Sequence, residues 1–196
     1  MHHTQKNILI INGHPDSESF NWALSEAYKK GAEASGAHVE VLNIGELQFD
    51  SNLRFGYRQR MELEPDLLAA QDKIRAANHI VWVFPSWWAS MPAVMKGFID
   101  RIFLPGFAFK YHEGKPFPQQ LLKGKSARLI VTMDAPGWYY RYVYGQPGLN
   151  IMKRVTLGFA GIHPIRVTQL TKVKFSTPEK RAKWLAAVEK LGRALR

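Results

Sequence analysis

A chain of 196 residues, 46% hydrophobic and 22% charged, has the composition of one ordinary globular domain, which excludes a disordered or fibrous protein. It contains no cysteine, so disulfides, thiolate nucleophiles and cysteine-ligated metals are excluded. Its formal charge of +11 is not accompanied by any nucleic-acid-binding motif, and we expect no nucleic-acid partner. Since no apolar stretch reaches the roughly 18 residues of a membrane span and the first residues lack a secretory signal, we expect a cytoplasmic protein.

Short apolar runs rich in β-branched residues alternate with longer segments of helical period along the whole chain. The predicted strands are Asn7–Ile11, Val39–Ile44, Ile80–Phe84, Arg128–Met133 and Ile165–Leu170. The predicted helices are Phe20–Ser35, Pro65–Ala77, Pro92–Phe103, Leu149–Phe159 and Pro178–Leu195. This alternation indicates a single α/β domain over residues 1–196, with helices on both faces of a doubly wound, five-stranded parallel sheet. The expected strand order is 2-1-3-4-5, which places ligands at the carboxyl ends of strands 1, 3 and 4.

One connection does not fit the alternation. The segment Gly45–Glu64 is too long for an ordinary loop and carries several aromatic and arginine residues. A connection of that length is usually functional or part of an interface. Further along, Asp100 and Arg101 are expected to form either an ion pair or a tether from their helix to a loop.

The first of the three loops, Asn12–Ser19, has Gly13 as its only glycine, which excludes the glycine-rich Rossmann and P-loop patterns. It does place hydroxyl and amide side chains beside the free N–H groups of a helix N-terminus, an arrangement that binds phosphate. His14 would add another donor to a phosphate oxygen. The structural alternative is that Ser19 only caps the helix and His14 fills a turn, and the loop alone leaves both interpretations open.

The second loop, Pro85–Met91, carries the adjacent residues Trp87 and Trp88. Their rings are either core or a flat wall beside a conjugated ligand, and position alone favours neither. The third loop, Asp134–Gly148, is a nonregular segment unusually rich in tryptophan and tyrosine. Such a segment is expected to form a wall or lid for a flat substrate, a surface buried by a second subunit, or both.

Other catalytic chemistries find no support in the sequence. It has no H-E-x-x-H motif, no G-x-S-x-G elbow and no His/Asp/Glu cluster with metal-ligand spacing, so we expect no metal site. No strong nucleophile is evident. If the protein is an enzyme, a bound cofactor should carry the reaction.

Three stretches together resemble the flavodoxin-like NAD(P)H:quinone oxidoreductases, the DT-diaphorase-like family. They are GHPDSESFNWA (13–23), FPSWWASMPAVMKGFIDRIFLPGFAF (84–109) and VTMDAPG (131–137). The first two fall in the right order at two of the expected loops, and the similarity in architecture covers nearly the whole chain.

The resemblance implies a flavin site. The positions that hold the flavin phosphate and ribityl chain are matched by His14, Ser19, Phe20, Asn21 and Ala23. The loop along the isoalloxazine is matched by Pro85, Ser86, Trp87 and Trp88, and the segment under its pyrimidine side by Thr132, Met133, Asp134 and Ala135. Tyr140 matches a tyrosine near a ring carbonyl and is the expected catalytic residue. The stretch Gly106–Phe109 is similar to one that places an aromatic near the substrate pocket of a twofold-related subunit.

Two departures accompany the resemblance. The family's usual T-T-G-G is T-M-D-A-P-G here, with Asp134 at a position where glycine lets the backbone approach the ring. The histidine that often accompanies the loop tyrosine is replaced near Gln146.

In activity, the resemblance implies a ping-pong reaction in which NAD(P)H gives hydride to flavin N5 and a quinone-like acceptor then takes it. It implies FAD in preference to FMN, with Arg181 as a contact for the adenine end, and a homodimer. The alternative is a flavin-binding ancillary subunit of a membrane transporter of the potassium-efflux type. An electron-carrier flavodoxin is disfavoured, because such carriers are usually acidic and this chain is basic.

Overall fold

The computed structural model describes residues 5–195. The strands are β1 (Asn7–Asn12), β2 (His38–Asn43), β3 (His79–Pro85), β4 (Phe109–Lys110), β5 (Gln119–Gln120), β6 (Ser126–Met133) and β7 (Ile165–Thr171). The helices are α1 (Phe20–Glu33), α2 (Pro65–Ala76), α3 (Ala93–Ile102), α4 (Gly137–Tyr142), α5 (Pro147–Asn150) and α6 (Pro178–Arg193). Helix α5 continues as a π-helix over Ile151–Leu157, and a 3₁₀ turn covers Ile44–Glu46.

The main sheet is parallel and five-stranded, in the order β2-β1-β3-β6-β7. This is the predicted order, since β4 and β5 pair separately as a small antiparallel sheet. The fold class is confirmed. Apolar residues are buried on both faces of the sheet, as its near-continuous apolar central strands require, with α1 and α6 covering one face and α2 and α3 the other. Among the described residues no helix is both long and apolar enough to cross a membrane.

Several predicted boundaries were wrong for local reasons. The second strand begins at His38 and ends at Asn43, because Ile44 turns into the 3₁₀ helix. The predicted helix Leu149–Phe159 starts earlier, at Pro147, and widens into π geometry. The third loop is not wholly nonregular, since α4 forms inside it despite its aromatic residues. The strands β4 and β5 have two residues each, too few to show any alternation.

Helices α1 and α6 touch backbone to backbone, and this contact places α6 beside the first loop. A Cβ atom on Gly31 would lie 2.0 Å from the Glu189 carbonyl oxygen, and one on Gly192 would lie 2.1 Å from that of Tyr28. Because real Cβ atoms do not approach so closely, glycine is required on both helices. The contact brings α6 alongside α1, and the Trp184 ring then packs on Phe20 at the start of α1.

The long connection after β2 is tied to α3 by one buried arginine. Arg101 is fully buried, and its guanidinium donates to the Glu64 carboxylate at 2.8 and 3.1 Å and to the Glu62 carbonyl at 2.9 Å. It also donates to the carbonyl oxygen of Asp50. The tether interpretation is therefore confirmed and the ion pair with Asp100 was wrong, because Asp100 pairs with Lys96 at 2.7 Å.

Candidate active site

The first loop leaves β1 at the carboxyl edge of the sheet and crosses the end of β3. The Gly13 N–H donates to the Val83 carbonyl at 2.8 Å. A Cβ at Gly13 would lie 2.5 Å from the Met95 sulfur and 3.2 Å from the Phe84 Cβ. Glycine thus lets the loop lie flat on the neighbouring strand end and enter α1.

The structure assigns local roles to Ser19 and His14. The Ser19 hydroxyl accepts the Trp22 N–H at 3.3 Å and caps α1, as the structural alternative predicted. His14 fills a turn, because its Nδ1 accepts the Asp16 N–H at 3.0 Å. That bond leaves Nε2 as the nitrogen that carries the ring proton in the neutral imidazole. The capped helix still presents the N–H groups of its first turn, at Phe20 and Asn21.

Hydrogen bonds join the start of α1, the second loop and the end of β6 to one another. The Thr132 hydroxyl donates to the Asn21 side-chain oxygen at 3.1 Å, and both residues are buried. The Ser86 N–H donates to the Thr132 carbonyl at 2.7 Å. Helix α1, the β3 loop and the end of β6 therefore form one connected edge, as the predicted strand order requires. Ala23 lies half-buried in the first turn of α1, where its N–H bonds to Ser19.

The two tryptophans lie in a tight turn at the rim of this edge. Trp87 and Ser90 exchange both backbone hydrogen bonds at 2.9 Å, and the two residues between them have positive φ, 50° at Trp88 and 59° at Ala89. The Trp87 ring is 45% exposed and makes an edge contact with His14 at 5.4 Å. Trp88 is fully exposed. The interpretation of these rings as core was wrong, since both are exposed at this edge of the sheet.

Tyr140 lies behind this turn rather than on the open surface. Its side chain is 2% exposed, and its hydroxyl donates to the Ala89 carbonyl at 3.3 Å and accepts the Leu149 N–H at 3.4 Å. Burial raises the pKa of Tyr140, against hydrogen bonds from the Leu149 N–H and the Ser86 hydroxyl that lower it. The phenol therefore stays protonated around neutral pH.

The last residues of β3 and β6 are buried, whereas the chain becomes more exposed after β6. Pro85 ends β3 and Met133 ends β6 in buried positions, and Ala135 is half-buried. The Asp134 carboxylate accepts the Lys174 N–H at 2.8 Å, so it turns toward the loop between β7 and α6. The aspartate that stands where the family usually has glycine therefore has a local structural role, because its carboxylate binds the backbone N–H of Lys174 after β7.

Aromatic side chains outside the three loops form a second cluster. Within Gly106–Phe109, Phe107 is buried in the core, while the half-buried Phe109 forms this cluster with Tyr111, at a ring-centroid distance of 5.3 Å, and with Phe159, at 5.1 Å. The sequence did not predict that Tyr111 and Phe159 would lie against Phe109, since neither residue is in one of the three loops.

The third loop also carries exposed aromatic side chains. Trp138 and Tyr142 line a cavity of about 490 Å³ against β7.

The similarity of this chain to known proteins extends over its full fold. Residues 6–194 match the family described as having a flavodoxin-like fold. The chain belongs to this flavodoxin-like family. A crystal structure of Smu.1420 from Streptococcus mutans superposes with a TM-score of 0.83 at 30% identity, covering 96% of this chain and 99% of that one.

Two curated relatives of this chain carry names of dehydrogenases. The chain is 32% identical over 160 residues to the ribosyldihydronicotinamide dehydrogenase-like protein traD of Penicillium crustosum, covering 69% of this chain and 59% of that protein. It is 24% identical over 212 residues to NAD(P)H dehydrogenase [quinone] 1 of Rattus norvegicus, covering 94% of this chain and 76% of that protein. The match thus spans less than two thirds of the fungal relative.

Proposed function

We propose that this protein is a flavin-dependent NAD(P)H oxidoreductase that reduces quinone-like aromatic acceptors. The observation that carries the proposal is the connected edge, where a capped helix N-terminus, the backbone of Ser86–Ala89 and the end of β6 meet. The relatives named above as NAD(P)H and ribosyldihydronicotinamide dehydrogenases support the same class of reaction. The lack of a transmembrane helix among the described residues is compatible with the expected cytoplasmic location.

The residues present fit a flavin. The first-turn N–H groups of α1 and the Nε2 donor of His14 suit a phosphate, since a helix N-terminus attracts anions. Asp16 is exposed, so solvent screens its charge, and its carboxylate accepts the Glu18 N–H at 2.9 Å within the loop. The ring would lie along Pro85, Ser86 and Trp87. When bound, the flavin supplies two-electron hydride chemistry in two half-reactions, one with the nicotinamide and one with the acceptor.

The protein's own residues orient and enclose the reactants. The Trp87 ring, fixed at the rim by His14, and the exposed Trp88 offer flat faces for a conjugated substrate. The backbone of the β3 loop is held in place by hydrogen bonds from the Ser86 and Trp87 N–H groups to the Thr132 and Ser90 carbonyls, so it needs little reorganisation when charge develops beside it.

We propose FAD in preference to FMN because of α6. Arg181 lies over the Phe20 ring, with its Cζ 5.7 Å from the centroid, and is held there by the Ser176 hydroxyl at 2.9 Å. It therefore stands beside the start of α1, where a second phosphate would extend. Only FAD carries that group.

We also propose a homodimer. Tyr111 is exposed next to Phe109 and Phe159, and exposed aromatics of this kind are typical of subunit interfaces. In a dimer this second aromatic cluster would complete the substrate pocket of the other subunit.

Titration of flavin-free protein with FAD and with FMN tests the cofactor assignment. We expect one flavin per chain, tighter binding of FAD, and about tenfold weaker binding in His14→Asn, because a hydrogen bond to a charged group is lost. Asparagine can still accept the Asp16 N–H in the turn. His38→Asn is the matched control, since His38 is exposed at the start of β2. No binding of either flavin to the unsubstituted protein would overturn the proposal.

A further inference from the structure

The turn that carries the tryptophans has an unfavourable backbone conformation. Trp88 and Ala89 both adopt left-handed φ values, 50° and 59°, at the centre of a two-residue turn. Such turns are usually built from Asn-Gly or Asp-Gly, because a side chain in this region clashes with its own backbone. A tryptophan and an alanine there need support from outside the turn.

That support converges on a single atom, the Ala89 carbonyl oxygen. It accepts the Gly148 N–H at 3.0 Å and the Tyr140 hydroxyl at 3.3 Å. Gly148 is fitted closely to the turn, since a Cβ there would lie 2.8 Å from the same oxygen and 3.0 Å from the Ser90 Cα. Both donors come from the third loop, so this loop holds the second one in place.

The bonding capacity of the Tyr140 hydroxyl is already used within the protein. It donates its one hydrogen to Ala89 and accepts from the Leu149 N–H, the Ser86 hydroxyl also bonds to it, and the ring is buried. A hydroxyl engaged in this way acts on a ligand only through the groups that it holds. The nearest such group is the turn itself.

We propose that Tyr140 is a positioning residue: its hydroxyl holds the Trp88-Ala89 turn in the left-handed conformation that presents the Ser86–Ala89 backbone and the two indoles to the ligand. This revises the sequence-based expectation of a catalytic tyrosine. It rests on the proposed flavin site for its effect on binding, but not for its effect on the turn.

The test combines Tyr140→Phe with Ala89→Gly. Without the hydroxyl, we expect the amides of residues 86–91 to exchange hydrogen about tenfold faster in flavin-free protein, and flavin to bind about tenfold more weakly. Glycine adopts positive φ without a Cβ penalty, so Ala89→Gly should restore both properties in the Tyr140→Phe background. Tyr57→Phe, an exposed tyrosine in the long connection after β2, is the control and should change neither.

Three outcomes would overturn the proposal. Exchange in the turn could be unaffected by Tyr140→Phe, or Ala89→Gly could fail to restore it, or the variant could alter only the pH profile of turnover, as a catalytic hydroxyl would. Absence of flavin binding in the unsubstituted protein would overturn the proposed function alone, because the exchange measurement needs no flavin. If Tyr140→Phe did not fold, folding of the double variant would support the proposal and its failure would contradict it.

Discussion

Arg101→Met is expected to lower the free energy of unfolding by about 3–5 kcal/mol, the usual cost of breaking a buried charge network by removing one member. The substitution leaves the Glu64 carboxylate and the carbonyl oxygens of Asp50 and Glu62 without the guanidinium that they share. The remaining hydrogen bond from the Asp50 N–H to Glu64, at 3.0 Å, does not compensate for that loss.

Denaturation in urea measures the effect, with Arg58→Met as the matched control. Arg58 is exposed and lies 6.0 Å from the Phe55 ring, so its replacement should change stability little. Loss of the tether should also loosen the cavity of about 610 Å³ that the long connection forms with α2 and Phe107. Equal stability of the two variants would show that Arg101 does not hold this connection.

The unsubstituted protein should lose stability in mild acid through His79. Burial is the main cause that lowers the pKa of His79 from 6.5 to about 4, and the charges of Arg128, Lys6 and Arg166 lower it further. Its Nδ1 lies 2.8 Å from the Ser126 hydroxyl, while Nε2 has no partner among residues 5–195. Because the unfolded chain takes up the proton first, stability is complete above pH 6.5 and falls as the pH drops toward 4.

The expected loss from this histidine is up to about 3 kcal/mol over that range. Urea denaturation at several pH values should show a shallower acid dependence in His79→Asn, which keeps a partner for Ser126 but cannot titrate. His38→Asn should retain the steep dependence, since His38 is exposed. An unchanged slope in His79→Asn would rule out this residue as its source.

The sheet could be predicted because its signals are local and repeated. The apolar strands and the prolines that open two of the helices are explicit in the sequence, and they lead directly to the observed strand order. The segment Gly137–Tyr142 was harder, because a short aromatic helix has no amphipathic period to detect. The pair β4 and β5 likewise depends on tertiary contacts rather than on pattern.

The meeting of the three loops at one edge of the sheet could be predicted from the strand order, but their contacts could not. Adjacent tryptophans at a strand end indicated a special loop, yet nothing in the sequence showed that Trp88 and Ala89 would have positive φ. The bond from Tyr140 to Ala89 joins residues 51 positions apart, and only the folded chain brings them together. The Asp134 carboxylate likewise bonds to a residue far along the chain, since it accepts the N–H of Lys174, 40 positions away.

We have proposed that this chain uses a flavin to take electrons from a nicotinamide and give them to an aromatic acceptor. Anaerobic mixing of the flavin-loaded protein with NADPH or NADH, followed by a simple quinone, tests it most directly. We predict that the absorbance of the oxidised flavin is lost rapidly with a nicotinamide alone and returns when the quinone is added. A bound flavin that stays oxidised with both nicotinamides would contradict the account and would favour a flavin-binding ancillary protein instead.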